Sequence, residues 1–327
     1  MNVLVLGGTR FIGRAITEEL VAAGHAVTVV HRGTTEPDGW VDVDHVHVAR
    51  TELASVAEEL RDRAPDAVVD CIAMTKADAH AAASLFGDDV RLLVLSSVDV
   101  YESYGALQEG RVGEPVPVFE DSPVRDKRYP YRGVIDGMDD YEKLDVEEVY
   151  LARGGTVLRL PMVYGEHDGQ RREWPILRRV HAGRDRIPFG AGTWVTSRGY
   201  VRDIGTGVRL ALESDRSAGE VFNLAEARSP SVELWARWIL DAAGSHAELV
   251  RVPDDQLPDD LGITSAIGQH LTCDSSKART VLGWTETALA DAMRRSVTWH
   301  LANPPTEAET FEVDDRALAT AERNGEP

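Results

Sequence analysis

The run Gly7-Gly8-Thr9-Arg10-Phe11-Ile12-Gly13 lies directly between an apolar strand pattern and a helical one. Gly7 permits a sharp turn and Gly13 permits close packing of helix on strand. The helix N-terminus then offers free N–H groups and a partial positive charge to a pyrophosphate. Arg10 stands where the usual pattern has its middle glycine, which puts a cation beside the phosphates. The next strand ends Val30-His31-Arg32-Gly33, with no acid for the ribose hydroxyls of NAD. Arg32 is suited to pair with a 2′-phosphate, so the expected ligand is NADP(H) rather than NAD(H).

A second group follows the fifth apolar run, Leu95-Ser96-Ser97-Val98-Asp99-Val100-Tyr101. A carboxylate such as Asp99, at a strand end facing a cleft, does base work if its pKa is raised; otherwise it is a loop cap or ion-pair partner. His167, between Glu166 and Asp168, is open to substrate or to solvent, as are Arg171, Arg172, Arg178 and Arg179. His45 and His47 share one strand face without further ligands, so no metal centre is expected.

These groups need a scaffold, and the apolar periodicity supplies one. Apolar strands are read at 2–6, 26–30, 45–48, 67–71, 92–96 and 156–160. Helical patterns at 11–23, 52–63, 77–86 and 139–152 separate most of them. Strands that are apolar throughout, alternating with helices, predict an α/β fold: a doubly wound parallel (Rossmann) sheet covered on both faces. The helix over 139–152 is given a start at Asp139, with Glu142 completing a capping box. Residues 104–137 have no clear period and read as a long, functional loop. Beyond Gly165 the pattern turns mixed, as in a smaller C-terminal substrate domain. Pro304-Pro305 precedes an acidic tail that is either flexible or weakly docked.

The 327 residues are 43 % apolar and 28 % charged, which is ordinary globular composition and excludes wholesale disorder. A net charge of −20 repels phosphate backbones and makes a nucleic-acid partner unexpected. Cys71 and Cys273 lack metal spacing and read as free thiols of a reducing cytoplasm. No apolar run approaches the roughly 18–20 residues that cross a membrane, and no basic leader or cleavage pattern follows Met1. The sequence thus points to a cytoplasmic protein.

Four further segments join Ser97–Tyr101 in order. Lys143 has Glu147 one turn later, and Arg159-Leu160-Pro161-Met162-Val163-Tyr164-Gly165 follows. Then come Arg198-Gly199-Tyr200-Val201-Arg202-Asp203 and Asp274-Ser275-Ser276-Lys277-Ala278-Arg279 with Leu282-Gly283-Trp284. Over about residues 1–301 the chain resembles the extended short-chain dehydrogenase/reductase superfamily, in its NAD-dependent epimerase/dehydratase branch. The Gly7–Gly13 loop resembles that of the atypical members, among them chloroplast stem-loop RNA-binding proteins.

The resemblance implies a dinucleotide-binding domain of 1–165 and 199–225, a substrate domain of 166–198 and 226–303, and a tail of 304–327. It implies that Ser97 holds a substrate oxygen, that Lys143 binds the nicotinamide ribose, and that a tyrosine is the acid/base. That tyrosine belongs four residues before the lysine, where Asp139 stands. Tyr141 is only two residues before, and on a regular helix such neighbours point about 200° apart. Tyr141 qualifies if the helix starts late; Tyr129 and Tyr131 are the loop alternatives. Asp99 matches the general base of the sugar-nucleotide dehydratases. Cofactor contacts are implied at Gly7, Gly8, Thr9, Arg10, Phe11, Ile12, Gly13, His31, Arg32, Cys71, Ala73, Lys143, Pro161 and Val163. Substrate contacts are implied at Arg198 and His167, and the family admits a homodimer.

The resulting reading is an NADP(H)-binding oxidoreductase, epimerase or dehydratase acting on a nucleotide-linked or otherwise polar substrate. The alternatives are a catalytically altered regulatory or RNA-binding protein on the same fold, and cofactor-independent acid/base chemistry through Asp99.

Overall fold

A computed structural model of the chain describes residues 1–37, 39–306 and 310–324. The first half runs β1 (Asn2–Leu6), α1 (Phe11–Ala22), β2 (Ala26–His31), β3 (Asp44–His47), α2 (Ala57–Asp62), β4 (Ala67–Asp70), α3 (Lys76–Ala83), β5 (Arg91–Ser97), α4 (Glu102–Gln108), α5 (Lys143–Leu151) and β6 (Thr156–Leu160). There follow β7 (Met162–Tyr164), α6 (Trp174–His181), β8 (Arg186–Phe189), β9 (Arg198–Tyr200), α7 (Val201–Glu213), β10 (Val221–Asn223) and α8 (Val232–Ala242). The last elements are β11 (Glu248–Arg251), α9 (Ser276–Leu282), α10 (Leu289–Ala302) and α11 (Glu312–Asn324).

Seven strands form one parallel sheet in the order β10-β6-β5-β4-β1-β2-β3. The apolar strands dictate cover on both faces. Val3 and Val5 enter the core shared with α1 and α7, and Leu4 and Leu6 enter the core shared with α3 and α5. Each such side chain, fully buried, contributes about 1.5–3 kcal/mol. The strand order reverses between β1 and β4, and a sheet of this kind binds ligands in the crevice beyond the carboxyl ends of its strands at that point. The parallel pairs β7–β9 and β11–β8 lie outside this sheet. The ring of Trp235 on α8 meets Tyr164 edge-on at 4.7 Å in the same core as Val3 and Val5.

Four expectations need correction. Helix α5 begins at Lys143, not Asp139, with Glu142 as its N-cap. The carboxylate of Glu142 is gripped by Arg125, which fixes the cap three residues later than the local pattern suggests. The long loop opens with helix α4, too short to show a period, burying Ser103 and Ala106. The helix read at 52–63 starts as 3-10 turns over Arg50–Val56. The tail is anchored: Arg179 forks to Asp314 of α11 and to Asp260, and Ala317 and Ala321 pack on Val250 and Val252.

Candidate active site

The glycine-rich turn leaves β1 with Gly7 at φ +87°, and a Cβ there would lie 2.3 Å from Ile72 Cγ2. A Cβ on Gly13 would lie 2.1 Å from the Gly7 carbonyl oxygen. Both positions therefore require glycine, and α1 starts hard against the turn. Arg10 is the N-cap of α1 without a side-chain cap bond, so the first-turn amides have no capping oxygen. Thr9 to Ile12 line a cleft of about 710 Å³, faced by Thr35, Glu36, His167, Gln170 and Trp299. A turn that glycine alone fits, uncapped amides and an open cleft suit a dinucleotide pyrophosphate.

The other expected cofactor contacts are spread along the same sheet edge. Arg32 is exposed just past β2. His31 is buried, and its ring faces inward: Nδ1 accepts from the Gly33 amide and Nε2 lies 2.8 Å from His45 Nδ1. Cys71 follows β4, with its thiol pushed up chiefly by burial. Ala73 offers its carbonyl to Lys143, while Pro161 and Val163 are buried beyond β6.

At the end of β5 the structure gathers a carboxylate, two phenols and an ammonium. Ser97 Oγ accepts the Asp99 amide at 3.2 Å, which turns the chain so that the Asp99 side chain faces inward. Tyr141 donates to Asp99 Oδ2 at 2.7 Å, and Tyr131 donates to the same oxygen at 3.2 Å. Tyr131 and Tyr104 hydroxyls lie 2.7 Å apart. Asp99 Oδ1 is buried with no hydrogen-bond partner among the described residues. Lys143 Nζ donates to the carbonyls of Ala73 at 2.6 Å and Leu95 at 3.0 Å, bridging the ends of β4 and β5. It lies 5.9 Å from the Tyr141 ring centroid.

Because α5 starts at Lys143, the objection to Tyr141 from helix geometry does not apply: Tyr141 precedes the helix and takes its own direction. Tyr129 turns elsewhere, 3.4 Å from Asp145, with Arg132 over its ring. Electrostatics divide the roles. Burial pushes the Asp99 carboxyl up, against the opposing pull of Tyr141, Arg125 and Lys143. Burial, and then the nearby Asp99 charge, push the Tyr141 and Tyr131 phenols well above their ordinary value. Burial lowers the Lys143 ammonium, opposed by Asp99 and Asp70.

Sequence reasoning missed what holds this group in place. Arg125 donates its Nε to the Asp99 carbonyl at 2.9 Å and forks onto the Glu142 carboxylate at 2.9 and 2.7 Å. Glu142 also accepts the amides of Tyr129 and Leu144. One buried pair thus ties the Asp99 turn, the loop and the start of α5 together. Behind it, Glu147 accepts from Ser96 at 2.5 Å and from Arg159 at 2.9 and 2.8 Å. No local spacing signals either pair, because the partners of Arg125 and Ser96 come from distant parts of the chain.

The two expected substrate contacts lie in different cavities. Arg198 is fully buried, stacked 4.1 Å over Trp235, and lines a cavity of about 290 Å³ with Met162, Phe189 and Ile239. Its Nε has no hydrogen-bond partner among the described residues, and burial lowers its guanidinium to about 10. His167 instead lines the cleft of the glycine-rich turn, its ring 4.8 Å from that of Trp299. Gln170 and Arg172 line both cavities.

A model of the NAD dependent epimerase/dehydratase family matches residues 3–225. The chain is 28 % identical over 313 residues to a 3-diazoavenalumate denitrifying reductase of Streptomyces sp, covering 88 % of this chain and 96 % of that one. It is 25 % identical over 302 residues to the chloroplast stem-loop binding protein of 41 kDa b of Arabidopsis thaliana, covering 86 % and 74 %. Among solved structures it resembles a UDP-glucose-4-epimerase of Stenotrophomonas maltophila with bound NAD. The TM-score is 0.72 at 22 % identity, over 92 % of this chain and 98 % of that one.

Proposed function

The chain belongs to the NAD dependent epimerase/dehydratase family, and from that premise we propose that it is an NADP(H)-using enzyme that moves protons through a Tyr141–Asp99 pair. The observation that carries this reading is the 2.7 Å bond from Tyr141 to the buried Asp99 carboxylate, with Lys143 fixed beside it at the same edge of the sheet.

The glycine-rich turn and the α1 amides would hold the pyrophosphate, Arg10 and Arg32 would face the phosphates, and Lys143 would hold the nicotinamide ribose. When bound, the cofactor supplies hydride acceptance and donation. The protein's share is proton management. Tyr141 is held protonated by burial and by Asp99, so it does not act as a standing phenolate. As a substrate hydroxyl gives its proton to Tyr141 Oη, Tyr141 passes its own to Asp99 Oδ2; the reverse swap returns it. Ser97 Oγ would hold the substrate oxygen in line.

Arg198, buried with its Nε unbonded among the described residues, supports an anionic substrate, and Trp235, Phe189 and Ile239 give that cavity an apolar wall. The similar solved structures include a UDP-glucose 4-epimerase with UDP-glucose, which supports a nucleotide-linked sugar. The similarity to a stem-loop binding protein favours a second reading as an RNA binder; the net charge of −20 opposes it.

Two titrations test the cofactor half. NADPH should bind about tenfold more tightly than NADH by protein fluorescence, because one charge-assisted pair to the 2′-phosphate is worth about 1.5–3 kcal/mol. Arg32→Ala should bring the two affinities together, and equal affinities in the wild type would overturn the preference. Lys143→Ala should weaken NADPH binding by about tenfold, on the same charge-assisted scale, and leave no redox turnover. A variant that binds and turns over like wild type would remove Lys143 from the site.

A further inference from the structure

We propose that His31, Glu36, His45 and His47 form a site for one divalent transition-metal ion of the zinc class at the edge of the main sheet. The sequence pairs only His45 and His47. The fold adds the other two, because β2 lies beside β3 in parallel register with His31 opposite His47 and Val29 opposite His45. The loop after β2 then folds back and delivers Glu36.

One ligand atom from each of the four side chains lies within 4.8 Å of the others. His31 Nε2 is 2.8 Å from His45 Nδ1 and 3.5 Å from Glu36 Oε1, and His47 Nε2 is 2.5 Å from the same carboxylate oxygen. Ligand atoms about 2.0–2.2 Å from a tetrahedral ion stand roughly 3.3–3.6 Å apart, so small side-chain rotations complete the geometry. Three imidazoles and one carboxylate select zinc, or another imidazole-seeking ion, over calcium and magnesium, which require oxygen ligands. His31 is buried, whereas the His47 and Glu36 side chains are about half exposed, so the site has a floor and an entry path.

The loop is shaped for this. Gly33 sits at φ +77°, and a Cβ there would come within 3.3 Å of the His47 ring. Glycine thus lets the chain pass over that ring on its way to Glu36. The Gly33 amide donates to His31 Nδ1, which leaves the ring proton on Nε2. Metal uptake at Nε2 requires the Gly33 amide to turn aside so that the proton can move to Nδ1.

Cobalt(II) is the probe, because a tetrahedral nitrogen/oxygen site gives it an intense visible spectrum. The full chain, stripped with a chelator and titrated with cobalt chloride, should develop that spectrum to saturation at one equivalent, and zinc chloride should abolish it. His47→Ala and Glu36→Gln change half-exposed side chains and should keep the far-ultraviolet circular dichroism of the wild type. Each should weaken uptake by about tenfold or more, the scale on which even outer partners of a metal ligand act. Absence of a one-equivalent spectrum, or the same uptake in well-folded His47→Ala and wild type, would overturn the site.

Discussion

Asp99→Asn should lower turnover by roughly 10²–10⁴-fold, the range that a positioned acid/base group contributes. The amide keeps the shape and still accepts from Tyr141, but it cannot take the proton that Tyr141 must pass on. The pH profile separates this loss from a structural one. Burial raises the Asp99 pKa in the folded protein, so the wild-type rate should fall on the acid side with an apparent pKa above the ordinary carboxylate value of about 3.9. Stability runs the other way. A carboxyl whose folded pKa is raised holds its proton more firmly when folded, so it costs stability as pH rises from the unfolded value through the folded one. Above that window Asp99→Asn should be at least as resistant to urea as the wild type while nearly inactive. An Asp99→Asn enzyme that turns over normally, or one that is inactive only because it unfolds, would remove Asp99 from the proton path.

The second large effect is on stability. Arg125 and Glu142 are a fully buried ion pair. Replacing either partner alone, Arg125→Met or Glu142→Gln, should cost about 3–5 kcal/mol in urea unfolding at neutral pH. Most of that cost comes from the charge or the hydrogen-bonding groups left buried without a partner. The double variant should recover part of the loss, since it removes the stranded charge. Glu142 is held below the usual carboxylate range mainly by Arg125, against the opposing effect of burial. The pair's contribution is therefore present above the ordinary carboxylate pKa and lost as pH falls through the lowered one. Single variants that unfold at the wild-type urea concentration would show that the loop is held by other contacts.

The sheet and the glycine-rich turn were legible because both are written locally. Buried strands are runs of Val, Leu and Ala, Gly7 turns the chain at a positive φ, and Gly13 answers to the nearby Gly7 carbonyl. The segment between α4 and α5 was not legible, because Arg125 and Glu142 are 17 residues apart and follow no period. The same pair explains the misplaced start of α5: Asp139, Asp140 and Glu142 all suit a helix cap, and only a distant arginine chooses among them. Tyr141 was readable as a candidate from its distance to Lys143. Its companion Tyr131 reaches Asp99 across 32 residues and needed the loop's path. Arg179 and Asp314 meet across 135 residues, so the anchoring of α11 left no trace in local pattern.

The hydroxyls of Tyr104 and Tyr131, the Asp99 carboxylate and Tyr141 stand in single file. On the proposed reading, such a row would be a wire as well as a catalytic group. Burial raises each phenol above its ordinary value, so a proton would cross it by concerted exchange, one bond made as the next is broken, and no phenolate needs to persist. Asp99 can then be recharged from the half-buried Tyr104 end while Tyr141 is still covered by substrate. The state of the base between turnovers need not wait for the product to leave.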